Sequence, residues 1–277
     1  MRHALRFISK SAAYIILTFG LTFTLLPFIY IVLASLKTNA ELMRVPPTFI
    51  PENPTLQNYI QVLTDKEISL SRIFFNSGFV ALARTAASLF ISSFAGYVFA
   101  RYRFTGRNLF FGLVLAQLMI PFQVIIIPLY LLMVKLGLVD TLWALIIPML
   151  VDAYSIFIAK QFIENLPQEM LEAARIDGAS EFGIYWNMVL PQMGPMLASV
   201  GVFTFMASWN DYLWPLIVIT SPEKRTIPLL LVWYTTQHGA NQGLVLAASI
   251  ITLIPIFIVY ILAQRWIVEQ ASQSAFK

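Results

Sequence analysis

Four carboxylates, Glu169, Glu172, Asp177 and Glu181, crowd one short polar segment in which Arg175 is the lone cation, and this segment lies between two strongly apolar runs. The chain offers these acids no catalytic companions. It has no Cys, and its two His are His3 and His238. There is no G-x-x-x-x-G-K-[ST] phosphate loop, no H-E-x-x-H and no G-x-S-x-G. Disulfides, thiolate nucleophiles and Cys- or His-based metal sites are excluded. The chemistry left is ion pairing and hydrogen bonding with another surface.

The local pattern predicts helix, sharp bend, helix. Pro167 suits a first helical turn, and Glu169 and Glu172 lie near the positive end of that helix's dipole. Met170, Ala173, Ala174 and Ile176 form a small apolar face. Gly178 fits a left-handed stop. Ser180 can cap a second helix with Glu181 in its first turn. That helix presents Phe182, Tyr185, Trp186 and Met188 and is expected to end before Pro191. Two readings suit such an amphipathic object: it lies among lipid headgroups, or it docks on another protein. Interfacial helices are normally rich in Lys and Arg on the polar face. This one is acidic, which favours a protein partner. Its aromatic faces are not expected to find cover in the chain's own membrane region.

A second set of polar groups lies within apolar runs. An ionisable group at membrane depth costs at least ~2.5 kcal/mol on insertion scales. Arg84, Asp152 and Asp211 therefore need reasons, and their similar depths suggest that Arg84 pairs with one of the two aspartates. Gln117, Gln123, Trp209, Asn210, Asp211, Tyr212 and Trp214 suit a sugar path, with amides and carboxylates for hydroxyls and rings for sugar faces. Anchoring and helix packing would account for the same residues.

The elements that must hold these groups are membrane helices. Hydrophobic residues make up 58% of the chain and charged residues 12%, with a mean hydropathy of +0.75. A soluble domain carries about 25% charged residues. Six continuous apolar runs reach the roughly 20 residues needed to cross a bilayer, near 12–36, 73–100, 109–134, 142–159, 196–219 and 244–267. None alternates with a period of two, so helices are expected and not barrel strands. The first run is too long for a signal-peptide core and lacks a small-residue cleavage site, so it reads as an uncleaved span.

With a cytoplasmic N-terminus, the inner segments hold Arg2, Arg6, Lys10, Arg101, Arg103, Arg107, Lys160, Arg175, Arg265 and Lys277. The outer ones hold Lys37, Arg44, Lys66, Arg72, Lys135, Lys224 and Arg225. The excess inside, clearest in the short loop 101–107, places both termini and segment 160–191 in the cytoplasm. The basic residues are spread out, so the positive net charge reads as a topology signal and not as affinity for nucleic acid. Small residues in the second run, among them Ala81, Ser88, Ser92, Ser93 and Gly96, permit close packing. Pro121, Pro128, Pro148, Pro215 and Pro255 permit kinks.

Glu172-Ala173-Ala174, then Asp177-Gly178-Ala179, then Leu190-Pro191 and Pro195 resemble the EAA loop of permease subunits of ATP-binding-cassette importers, with Met188 where Ile is usual. Asn76-Ser77, 100–107, Pro121-Phe122-Gln123, 127–130 and 205–216 are similar to the carbohydrate-uptake, maltose-transporter-type branch. The tail departs, with Gln270 and Ser274 where glycines are usual.

The resemblance implies an all-α polytopic fold of six transmembrane helices (the type I importer permease), a single membrane domain over 1–277. It implies a transport subunit in a bacterial or archaeal cytoplasmic membrane that forms half of a pathway for sugars or oligosaccharides. Glycerol phosphate or a polyol is the alternative cargo, and an ion-coupled secondary transporter the alternative class. A membrane enzyme is disfavoured by the missing catalytic sets. The implied partners are a second permease, an ATPase dimer that uses ATP and Mg, an extracytoplasmic sugar-binding protein and lipid. This chain itself would bind no cofactor. Glu172, Ala173, Ala174, Asp177, Gly178, Ala179, Leu190 and Pro191 would contact the ATPase. Asn210, Asp211, Trp209, Gln123 and Asp152 would border the substrate path. The outer loop 220–243, with Trp233, Tyr234 and His238, would meet the binding protein.

Overall fold

The computed structural model describes residues 2–65, 67–237, 239 and 241–275, with side chains described over 13–65, 67–237, 239, 241–262 and 264. Several residues named above (Arg2, Arg6, Lys10, Lys66, His238, Arg265, Gln270, Ser274 and Lys277) therefore lie outside the described side chains. All regular structure among the described residues is helical. Two compact units are present, residues 1–70 with 231–254, and 71–230 with 255–277.

In the first unit, α1 (Arg2–Ser35) is apolar and exposed on every side over residues 13–30, as expected of a helix whose solvent is lipid or a partner's apolar face. The segment after it carries α2 (Asn39–Leu42) and α3 (Gln57–Leu63). Lys37 is buried but satisfied by the Thr48 carbonyl, by Thr48 Oγ1 at 3.0 Å and by Glu41 at 4.0 Å. Asn58 Nδ2 donates to the Ser35 and Lys37 carbonyls at 2.8 and 2.9 Å, closing the end of α1.

The second unit begins with α4 (Leu70–Arg101), a continuous 32-residue helix. α5 (Arg107–Gln117) and α6 (Phe122–Lys135) follow, bent by 101° at Pro121. α7 (Trp143–Ile146) runs through a tight turn at Ile147–Met149, containing Pro148, and meets α8 (Ala153–Glu164) at 45°. α9 (Gln168–Ile176) and α10 (Glu181–Ile184) form the polar segment. α10 passes through a widened turn at Tyr185–Val189 into α11 (Leu190–Gln192), which meets α12 (Gly194–Trp209) at 76°. α13 (Leu213–Val218) ends that run. Two helices start in one unit and end in the other, α14 (Ile227–Gln237) and α15 (Gln242–Ala275).

Three helices are long and apolar enough to cross a membrane, Ala13–Ser35, Leu70–Arg101 and Gln242–Leu262, or up to six if each bent pair is one span. The sequence expects six continuous runs, and three of them are broken. The breaks coincide with Pro121, Pro148 and the 210–212 stretch, where proline or a polar residue interrupts the backbone ladder. Pro128 and Pro255, by contrast, lie inside helices that continue.

The small residues of α4 face inward, with Ala81, Ser88, Ser92 and Ser93 buried. Gly96 permits the closest approach. A Cβ there would stand 2.6 Å from Ala159 Cβ and 2.9 Å from the Lys160 backbone nitrogen, so α4 and α8 touch only because that methyl is missing.

Candidate functional site

The polar segment folds as helix, bend, helix. α9 ends in a Schellman cap: Ala179 N–H donates to the Ala174 carbonyl at 3.0 Å, and Gly178 N–H to that of Arg175 at 3.1 Å. Gly178 has φ +81°, which L-residues rarely adopt. Ser180 Oγ then accepts from Gly183 N–H at 3.1 Å and starts α10. The second helix does not end before Pro191. The widened turn at Tyr185–Val189 leaves the proline, which has no N–H to donate, inside a continuing helix.

The inner face of this pair is packed into the chain's own helices, contrary to the expectation that it would find no cover there. Leu171, Ala174, Ile184, Tyr185, Val189 and Met193 are buried against Tyr97 of α4, Ala159 and Ile163 of α8, and Met196 and Val200 of α12. Ala174 therefore faces inward, while its neighbour Ala173 is exposed. The spacing of Leu171 and Ala174, one helical turn apart, is the apolar stripe, not the Met170–Ala173 pairing.

Polar bonds reinforce the seat. Glu181 accepts from Tyr102 at 2.7 Å, from Tyr97 at 3.1 Å and from Arg175 Nε at 2.7 Å. The Arg175 hydrogen bond, then that of Tyr102, holds its carboxyl at a pKa of about 2, well below the ordinary 4.5. Burial and then Glu181 push the Tyr102 hydroxyl up, so it stays a neutral donor. Tyr185 hydroxyl and Ser93 Oγ share a buried bond of 2.8 Å. Arg101 Nη2 donates to the Ile163 and Leu166 carbonyls at 2.5 and 2.7 Å, tying the end of α4 to the α8–α9 link.

The outer rim is different. Glu172, Ala173, Asp177, Gly178, Ala179 and Pro191 are exposed, and Leu190 is half-buried. Ile176 is 86%, Phe182 58% and Trp186 48% exposed. Glu172 accepts only a local bond, from Gln168 Nε2 at 2.7 Å. The rim is thus an acidic edge with three bare apolar side chains.

The in-span polar residues resolve differently from one another. Arg84 Nη1 meets Asp211 Oδ2 at 3.4 Å, so Asp211 is the partner and Asp152 is not. Asp152 caps α8, accepting from Ser155 N–H at 3.1 Å and from its hydroxyl. Both aspartates sit at helix breaks, where free backbone N–H groups need acceptors; Asp211 also accepts from the Trp214 N–H. Arg84, Gln117, Asp152 and Thr204 line a cleft of about 340 Å³ among Phe122, Met149 and Phe203. Gln123, Trp209, Asn210 and Asp211 are not among its lining residues. Asn210 ends α12 and its amide bonds the Met206 carbonyl at 2.9 Å. Trp209 is buried, and so is Trp214, whose Nε1 donates to the Ala144 carbonyl at 2.8 Å. Trp214 is a core residue and not an interfacial anchor.

On the outer side, Tyr234 is buried with its hydroxyl bonded to Asp65 at 3.0 Å, so it cannot meet a partner; Trp233 is half-buried and His238 lies outside the described residues. Sequence reasoning passed over Asp140. It has φ 58° and accepts from Thr220 N–H and Ser221 N–H at 3.0 and 2.9 Å, and from Ser221 Oγ and Lys224, which together hold its carboxyl far below the usual range. It also passed over Tyr97 and Tyr102. Hydroxyls at the end of an apolar run were the available signal, since each needs a partner.

Residues 88–270 match the family described as "Binding-protein-dependent transport system inner membrane component". The chain is 40% identical over 259 residues to the arabinooligosaccharides transport system permease protein AraQ of Halalkalibacterium halodurans, covering 91% of this chain and 92% of that one. It is 32% identical to the lactose transport system permease protein LacG of Rhizobium radiobacter, covering 92% of each. A solved structure of a bacterial ABC transporter involved in import of the acidic polysaccharide alginate matches with a TM-score of 0.81 and 25% identity, over 93% of this chain and 96% of that one.

Proposed function

The chain belongs to the family of binding-protein-dependent transport system inner membrane components, and from that premise we propose that it carries sugars or oligosaccharides, driven through the helix pair 168–192. It is a membrane-embedded permease subunit of an ABC importer and not an enzyme. The observation that carries the coupling role is the two-sidedness of the helix pair. Its inner face is fixed to α4, α8 and α12 by a buried apolar cluster, while Glu172, Ala173, Asp177, Gly178 and Ala179 stand on an exposed rim. A force applied to that rim moves three membrane helices together, because close-packed interiors transmit displacement and do not absorb it.

In this reading a separate cytoplasmic ATPase dimer grips the rim and spends ATP and Mg; this chain binds neither. A second permease completes a single membrane domain pair, and an extracytoplasmic binding protein delivers cargo. Lipid surrounds the assembly, and nucleic acid has no part in it. Six spans result when α5–α6, α7–α8 and α12–α13 each count as one, in a bacterial or archaeal cytoplasmic membrane with both termini in the cytoplasm. The names of the 40%- and 32%-identical relatives support a sugar or oligosaccharide cargo. Asp152 and Gln117, which line the 340 Å³ cleft, face the path, and Asp211 acts through Arg84.

The test uses the absence of native cysteine. Asp177→Cys in the assembled importer gives a single attachment point for a short crosslinker. Adducts with a nucleotide-hydrolysing subunit, together with ATP-dependent uptake of labelled oligosaccharide into vesicles, are expected. Adducts confined to phospholipid, or uptake that follows an ion gradient and ignores ATP, refute the reading.

A further inference from the structure

A basic cleft of about 300 Å³ lies where α4 ends, lined by Arg101, Arg103, Arg107 and Arg175 with Glu164 among them. The acids nearby do not cancel it. Glu164 bonds Lys160 at 2.7 Å and stands 3.7 Å from Arg107, and Glu181 is taken by Arg175 and two tyrosines, so two carboxylates face four arginines and a lysine. Arg101 and Arg107 are aimed by backbone carbonyls, those of Ile163, Leu166 and Phe99. Arg101 Nε remains buried with no hydrogen-bond partner, and Arg103 is exposed with no ion-pair partner among the described residues. Such a site is short of an oxyanion.

A second observation states what the oxyanion is attached to. The cleft shares Tyr102 and Arg103 with a mainly apolar groove of about 300 Å³ lined by Phe94, Val98, Phe104 and Phe182, with Tyr97 and the already bonded Glu181 also in its wall. The two together present cations at one end and hydrocarbon at the other. They also stand at the correct height. α4 is 32 residues, about 48 Å, and overhangs a hydrocarbon core of about 30 Å, and the cations gather at its Arg101 end, the end that the charge distribution assigns to the cytoplasmic face.

We propose that this paired cleft and groove is a binding site for an acidic phospholipid, its phosphodiester on Arg101, Arg103 and Arg107 and one acyl chain along Phe104 and Phe182. Basic pockets between membrane helices take such headgroups. Bound there, the lipid bridges the end of α4, the α8–α9 link and Arg175 of α9, and so stiffens the seat of the polar helix pair. A soluble anion would gain nothing from the groove, and a protein acid would leave it bare.

The experiment uses the complete importer in phosphatidylcholine nanodiscs with a trace of phosphatidylglycerol carrying a photoreactive group near its glycerol. Adducts are expected within 98–107. Unlabelled phosphatidylglycerol should compete and phosphatidylcholine should not. Arg103→Gln should lower adduct yield about fivefold, the effect of one basic residue at a membrane surface, and Arg103→Lys should restore most of it. Phe104→Ser, which leaves every charge in place, should lower the yield as well. Unchanged yield in both Arg103→Gln and Phe104→Ser overturns the proposal, as does equal competition by phosphatidylcholine. Displacement by millimolar inorganic phosphate would mark a free-anion site instead, and adducts that form only after the ATPase is stripped away would mark a protein interface.

Discussion

Glu181 is the polar pin of the helix pair, and removing it should loosen the pair by a calculable amount. Tyr97 is 2% exposed and donates its hydroxyl to Glu181 at 3.1 Å. Glu181→Ala leaves that hydroxyl orphaned in the core, at a cost of about 1–3 kcal/mol. Tyr102 and Arg175 also lose their acceptor, but water can reach them. The Arg175–Glu181 side chains are 39% and 43% exposed, so that pair is worth no more than about 1 kcal/mol. The sum is roughly 1–4 kcal/mol. Glu181→Gln keeps an oxygen acceptor for the tyrosines and loses only the charge, so about 1 kcal/mol is expected. Unfolding of the purified subunit in mixed micelles by titration with dodecyl sulfate, followed by Trp fluorescence, measures both. If Ala and Gln cost the same, or if Ala costs under about 0.5 kcal/mol, Glu181 does not satisfy the buried tyrosine. The same pin sets a pH dependence. A carboxyl lowered from 4.5 to about 2 stabilises fully above 4.5, and the contribution is lost as pH falls toward 2. Stability should therefore show no Glu181-dependent change between pH 5 and 8, and Glu181→Gln should flatten the loss seen below 4.5.

Gly96→Ala should destabilise by roughly 1–3 kcal/mol through overpacking, because the new methyl meets Ala159 and the Lys160 backbone below 3 Å; a melting temperature equal to wild type would contradict the α4–α8 contact. Gly178→Ala should cost about 1–2 kcal/mol for a side chain at φ +81° and lower ATP-driven uptake while insertion continues, measured as initial uptake rate per inserted subunit. Arg84→Met should cost about 3 kcal/mol, the low end for a broken buried pair, since the two side chains are 16% and 23% exposed. Charge exchange at Arg84 and Asp211 should recover part of that loss in the same titration, whereas exchange of Arg84 with Asp152 should recover none. Asp140→Ala should release the 218–224 turn by removing four hydrogen-bond acceptances, and limited proteolysis should cut there faster than in wild type.

The chemistry of the polar segment was legible because it is local. A left-handed glycine, a serine cap and a proline act over three or four residues, and Gly178 and Ser180 stand where their types require. Apolar content and run length likewise dictated an all-helical membrane chain. Which side of α9 faces inward was not legible. Ala173 and Ala174 are identical in type and adjacent, and only the packing of α4, α8 and α12 beneath them made one buried and the other bare. The same limit hid the helix breaks. Asp152 and Asp211 read as charges stranded in apolar runs, when each in fact accepts the free N–H groups of a helix that starts anew. Pairing was open for the same reason: depth along a run can be counted in residues, but Arg84 chose Asp211 because of where two separate helices meet, and that distance is fixed only in three dimensions.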